Sequence, residues 1–243
     1  MHFSELWDPI TGDIRPLPEF SQSNGQTSIP LQFESYQSFF IVFTKNSSAK
    51  LLRGITNFPN GKNIAVLNTQ WQVSFDTTWG GPAKIIFHTL TDWTTRNEPG
   101  IKYYSGIATY QQTFSIDTLK KHNHNRFYLN LGEVKNIAKV KLNGKDLGVI
   151  WTAPWRVDIT SELKQKDNKL EIQIANLWPN RLIGDEQLPD DEIQDGQWPQ
   201  WLLKGEPRPG HRFTFTTFEH YQKNDPLLKS GLMGPVTIQQ TGF

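Results

Sequence analysis

Apolar and polar residues alternate with a period of two along much of this chain, and that limits it to β structure. Phe127, Leu129 and Leu131 alternate with Tyr128 and Asn130. Ala138, Val140 and Leu142 alternate with Lys139 and Lys141, and Leu170, Ile172 and Ile174 with Glu171 and Gln173. Phe213 and Phe215 alternate with Thr214 and Thr216. Each run predicts a strand with one buried face. Asn143-Gly144 predicts a tight hairpin, because a type I′ turn needs positive φ at both centres. Further strands are predicted at 29–33, 38–43, 64–67, 73–75, 84–88, 107–114 and 235–239. No segment sustains a 3.6-residue pattern; only 117–121 and 160–164 could form a helical turn or two. Many antiparallel strands without intervening helices predict an all-β sandwich and exclude a (β/α)₈ barrel.

The 243 residues allow one large β domain or up to two small ones. Enough strands for a complete sandwich lie in 69–243. Residues 1–68 hold too few to stand alone, so a smaller β segment is expected there, packed on the rest.

Charge and motifs exclude several functions. With 25 Lys+Arg against 24 Asp+Glu the net charge is +1, too little for a protein held to nucleic acid through phosphates. No apolar run is long enough to span a bilayer, and the N-terminus carries no signal-peptide pattern, so no membrane partner is expected. There is no Cys, hence no disulfide, thiolate metal site or Cys nucleophile. P-loop, dinucleotide and nucleophile-elbow motifs are missing. His122 and His124 fall in a polar turn and read as solvated.

Residues 177–212 form a long stretch without strand or helix pattern, yet it holds Trp178, Trp198 and Trp201. Disordered segments are poor in aromatics, so it reads as an ordered loop covering one edge or end of the sandwich. Trp178, Asn180, Arg181, Asp185 and Glu186 combine an aromatic face with an amide, a guanidinium fork and two carboxylates. These groups recognise sugars: a ring CH face stacks on Trp while Asp, Asn and Arg bond paired hydroxyls. The same residues could instead pair among themselves, Arg181 with Asp185 or Glu186. The acids of 185–195 also raise a paired-carboxylate hydrolase or a structural calcium ion, although no EF-hand spacing is present. Trp155, with Trp151 at a strand end, and Trp198 are further candidate stacking platforms. The turn at Asp92-Trp93, with Lys102–Gly106, reads as the local start of the second domain.

Several segments resemble a known family. They are Pro82 through Leu90-Thr91-Asp92-Trp93-Thr94, Ile101 through Tyr110, Leu129 through Val134, Ala138 through Gly148, Trp151-Thr152-Ala153-Pro154-Trp155, and Asn176 through Glu186. Together they look like the C-terminal, non-barrel portion of a glycoside hydrolase of family 106, the α-L-rhamnosidases. The middle segments alone are similar to the galactose-binding-like jelly roll of family 2 glycosidases. Trp7 through Phe43 resembles strands that follow the barrel in the rhamnosidase group. In that family the catalytic glutamates lie on an upstream barrel, and nothing in this sequence matches it, so no catalytic residue carries over. The resemblance implies a non-catalytic carbohydrate-recognising or scaffolding region and a glycan partner, rhamnose-containing in this family. It also implies a catalytic barrel elsewhere in a longer protein, a periplasmic or extracellular setting and an association with calcium, but no required cofactor. A self-sufficient hydrolase using the loop carboxylates and a purely structural interaction domain are the alternatives.

Overall fold

A computed structural model describes residues 3–44, 56–117, 119 and 125–242. The first strands are β1 (Phe3–Trp7), β2 (Ile14–Pro16), β3 (Ser21–Ser23), β4 (Gln26–Ser28) and β5 (Phe40–Thr44). They make a three-stranded sheet, β2-β1-β5, and a separate β3-β4 hairpin. Leu6 and Leu17 are buried here, and Asn57 ties the segment together by bonding Glu19 and the Pro30 carbonyl.

Then follow β6 (Lys62–Val66), β7 (Trp71–Phe75), β8 (Ile85–Phe87), a single helical turn α1 (Pro99–Lys102), and β9 (Ile107–Phe114). The middle of the chain gives β10 (Asn125–Asn130), β11 (Glu133–Lys135), β12 (Ile137–Leu142), β13 (Lys145–Ile150), β14 (Arg156–Asp158) and β15 (Asn168–Ala175). Two short helices, α2 (Pro179–Asp185) and α3 (Gln200–Leu203), precede β16 (Gly231–Gly234) and β17 (Thr237–Gly242).

The strands form a sandwich of two antiparallel sheets, one ordered β13-β12-β15-β9-β7-β8 and the other β14-β10-β17-β6. The alternation explains the layering. In β15, Leu170, Ile172 and Ile174 are buried while Lys169 and Glu171 face out. Val140 and Leu142 of β12 and Ala108 and Tyr110 of β9 join them against Phe127, Leu129 and Ile238 of the facing sheet. Asn143 and Gly144 have φ of 53° and 86°, the predicted turn. The Asn143 amide also donates to the Glu162 carbonyl at 2.7 Å, pinning the hairpin to the next loop.

The all-β sandwich therefore stands, with four local differences. Residues 29–33 form no strand; the hairpin strand ends at Ser28. Residues 213–216 form no strand. Residues 160–162 make the single turn expected there, and the stretch 117–121, like His122 and His124, reaches outside the described residues. Trp93 does not merely pack locally: Asp92 accepts from the Ser230 amide, and Trp93 donates its own amide to the Ser230 carbonyl. β6, within 1–68, pairs with β17, so one sandwich sheet draws a strand from that stretch. An Arg156–Glu34 ion pair also joins the two parts.

Candidate functional site

Where β15 ends, Asn176 splits its amide between two partners that fix the exit of the chain. Nδ2 donates to the Tyr104 carbonyl (2.8 Å) and the Ser230 hydroxyl (3.0 Å), and Oδ1 accepts from the Gly106 amide (2.9 Å). The Ser105 hydroxyl then donates to the Leu177 carbonyl at 2.8 Å. Pro179 opens α2, where its missing N–H costs nothing and its fixed φ suits a helix.

α2 is short, and the face it buries is polar. The Asn180 amide donates to the Leu228 carbonyl (2.7 Å) and accepts from the Leu228 amide (2.8 Å). Arg181 and Asp185 are one helical turn apart, with Nη2 3.1 Å from Oδ1, and their side chains are 5% and 2% exposed. The Arg181 guanidinium also lies 4.7 Å from the centre of the Phe213 ring. Asp185 Oδ2 accepts from the Phe213 amide, the Thr214 amide and the Thr214 hydroxyl, at 2.9, 2.7 and 2.7 Å. Burial lowers the Arg181 pKa and Asp185 opposes that shift.

The remaining acids form a second clasp. Arg208 grips Asp191 with two bonds of 2.8 and 2.5 Å. Arg212 pairs with Glu186 at 2.9 Å and donates to the Pro189 and Leu188 carbonyls. Glu192 accepts from the Thr216 amide and hydroxyl. A narrow polar cleft lies here, lined by Glu186, Glu192, Thr214, Thr216, His220 and Tyr221. The carboxylates of 185–195 thus serve mainly to fold the loop. No group of three or more His, Asp or Glu side chains is placed to hold a metal ion among the described residues. Arg181, Arg208 and Arg212 already pair with Asp185, Glu186, Asp191 and Glu192.

Two carboxyls titrate in opposite senses. The bonds from Arg208 hold Asp191 below the usual carboxylate range, so its contribution to stability is present above that range and lost as the pH falls through it. Burial pushes Glu186 up despite Arg212, so its contribution is lost as the pH rises through its own raised value. Arg208→Gln is expected to flatten the acid limb of a Tm-against-pH curve between about pH 5 and about pH 2. An unchanged acid limb would remove the Asp191–Arg208 pair as its cause.

The predicted residues therefore separate. Asn180, Arg181, Asp185 and Glu186 come together and bond mainly to protein partners, while Arg181 Nε and Asp185 Oδ1 are buried without a hydrogen bond. Trp178 stands at the start of the same helix, 51% exposed. Trp198 is exposed elsewhere on the loop and stacks on Phe215, with ring centres 6.1 Å apart. Trp155 packs half-buried against the sandwich core. Trp79 was not singled out as a site residue: its indole meets that of Trp178 at 79° with centres 5.3 Å apart. Nothing local to Trp79 signals that meeting, since it depends on a partner far along the chain.

Comparison with known proteins agrees with this architecture. A solved rhamnosidase from Novosphingobium sp. PP1Y superposes with a TM-score of 0.80 at 34% identity, over 98% of this chain and 20% of that one. A "Putative beta-glucuronidase" of Formosa agariphila is 39% identical over 228 residues, 92% of this chain and 19% of that protein. The chain thus spans about one fifth of the length of either relative. The model of the family described as glycosyl hydrolase 2 galactose-binding domain-like matches residues 91–209. The match runs through the sandwich from just before α1 to just past α3, and the fold is that of a galactose-binding-like β-sandwich domain.

Proposed function

We propose that this chain is a non-catalytic, glycan-recognising region of an α-L-rhamnosidase-like glycoside hydrolase of family 106, whose catalytic barrel lies elsewhere in the longer protein. Residues 69–243 are its jelly roll, completed by the edge strand β6, and the rest of residues 1–68 is a smaller unit docked on it. The observation that carries the non-catalytic reading is the state of the loop acids. A glycosidase pair needs two carboxyls facing one sugar, one protonated and one ionised. Here Asp185 Oδ2 accepts from the Phe213 and Thr214 amides and the Thr214 hydroxyl while its Oδ1 faces Arg181, Asp191 is gripped by Arg208, and Glu186 is paired with Arg212. The likeness to a rhamnosidase supports the choice of enzyme group.

The purified chain is expected to release no aryl group from an aryl α-L-rhamnoside or an aryl β-glucuronide. Turnover abolished by Glu186→Gln or Asp185→Asn would overturn the non-catalytic reading. Calorimetric titration with L-rhamnose and rhamnosylated oligosaccharides is expected to show weak binding, with Kd of about 1 mM or tighter for the oligosaccharides. No heat with any of them would leave only the scaffolding role.

A further inference from the structure

We infer that the right-angled notch between Trp79 and Trp178 is the sugar-binding platform of this domain, and that it takes a neutral pyranose. This rests on the glycan-recognising reading above and gives it an address. Trp178 leaves half of its surface open, although its backbone is among the most firmly held in the loop. Its carbonyl accepts from the Arg181 amide (2.9 Å) and lies 3.3 Å from the Ser105 hydroxyl, which also accepts from the Arg181 amide. Asn176 and Asn180 fix the chain on either side through Ser230. These bonds fix where the side chain leaves the backbone, and the indole itself rests against Trp79. On its other side Trp79 packs half-buried against the core and offers a second wall.

Two aromatic walls at a right angle suit a pyranose, whose CH face packs on one ring while its edge meets the other. The buried polar residues of α2 are then positioning residues: they aim Trp178 and do not touch the sugar.

Charge narrows the class of sugar. Trp79 ends a 3-10 turn, Thr77–Trp79, that Asp76 caps by accepting from the Thr78 amide and hydroxyl at 2.9 and 2.6 Å. Those bonds keep the exposed Asp76 carboxyl below the usual range, so it is ionised at neutral pH. A fixed negative charge on the turn that carries Trp79 disfavours a uronate or sulfated ring and leaves hydroxyls as the groups it can bond.

The test is titration of the purified chain with L-rhamnose, a neutral rhamnosylated oligosaccharide and D-glucuronic acid, following heat and indole fluorescence. The neutral sugars are expected to bind more tightly than the uronate. Trp178→Ala is expected to weaken neutral-sugar binding about tenfold, and Trp198→Ala to leave it unchanged. Trp178 is exposed, so its loss leaves the fold intact, and an unshifted thermal melt checks this. Trp79→Phe, which keeps an aromatic wall, is expected to lose less than Trp178→Ala. Binding by the wild type that survives Trp178→Ala, or that disappears in Trp198→Ala, overturns the notch while leaving glycan recognition standing. Tighter binding of D-glucuronic acid than of the neutral sugars overturns the charge argument. A wild type that binds none of the sugars overturns the glycan reading itself, and the notch with it.

Discussion

Asp185→Ala is expected to destabilise the protein by about 3–5 kcal/mol, the range for breaking a buried ion pair from one side. The change leaves Arg181 buried with its charge uncompensated, facing only the Phe213 ring. It also orphans two backbone amides and a hydroxyl, those of Phe213 and Thr214, which now converge on Oδ2. For a domain of this size about 1 kcal/mol corresponds to roughly 2–4 °C, so the midpoint should fall by roughly 6–20 °C. Asp185→Asn keeps a carbonyl oxygen for those donors but loses the charge, and should fall between the wild type and Asp185→Ala. Arg181→Met in the Asp185→Ala background should recover part of the loss, because the stranded cation is removed. A melt shifted by only a degree or two in Asp185→Ala would mean that this pair does not hold the loop.

The pair also shows where reading the sequence succeeds and where it stops. The strands of the larger sheet, β13 apart, were legible because each has one apolar face, and the core lies on that face whatever the topology. Phe213–Thr216 has the same period, but the partition is inverted. Thr214 and Thr216 turn toward Asp185 and Glu192, while Phe213 and Phe215 stay partly exposed under the guanidinium groups of Arg181 and Arg208. Alternation shows that two faces differ; it does not say which face finds partners when those partners are buried carboxylates. α2 was invisible for a related reason. It has only seven residues, and Asn180, Arg181 and Asp185 are among those it buries, so no apolar stripe marks it. The acids of 185–195 gave equally little away, since the arginines that engage most of them lie at 208 and 212 and only the fold brings them together. The pairing of β6 with β17, near opposite ends of the chain, is likewise a product of topology.

Trp93→Ala is expected to cost about 3–5 kcal/mol, the range for removing a buried large aromatic side chain. Trp93 is fully buried, edge-on to Phe75 and Tyr104 with ring centres 5.3 and 5.8 Å away. Its indole N–H donates to the Tyr110 hydroxyl at 2.6 Å, inside the core. Burial pushes the Tyr110 hydroxyl up, so it stays neutral and serves as acceptor at any working pH. Gly231 packs so closely that an added Cβ would come within 2.4 Å of Trp93 Nε1. Gly231 can follow into the space only by moving the Ser230-Gly231 backbone, and Ser230 also anchors Asn176 and Asn180. The cavity should stay open, placing the loss at the upper end of the range. Tyr110→Phe removes the acceptor of the Trp93 indole and, more weakly at 3.4 Å, of the Leu232 amide, and should cost about 1–3 kcal/mol, the penalty for an orphaned buried donor. Trp93→Phe with Tyr110→Phe should then cost less than the sum of the single changes, because the orphan exists only while one partner remains. Trp198→Ala, on an exposed indole of the loop, should shift the melt by a small fraction of the Trp93→Ala change. A comparable loss at both positions would mean that the loop, and not the core beneath it, limits the stability of this domain.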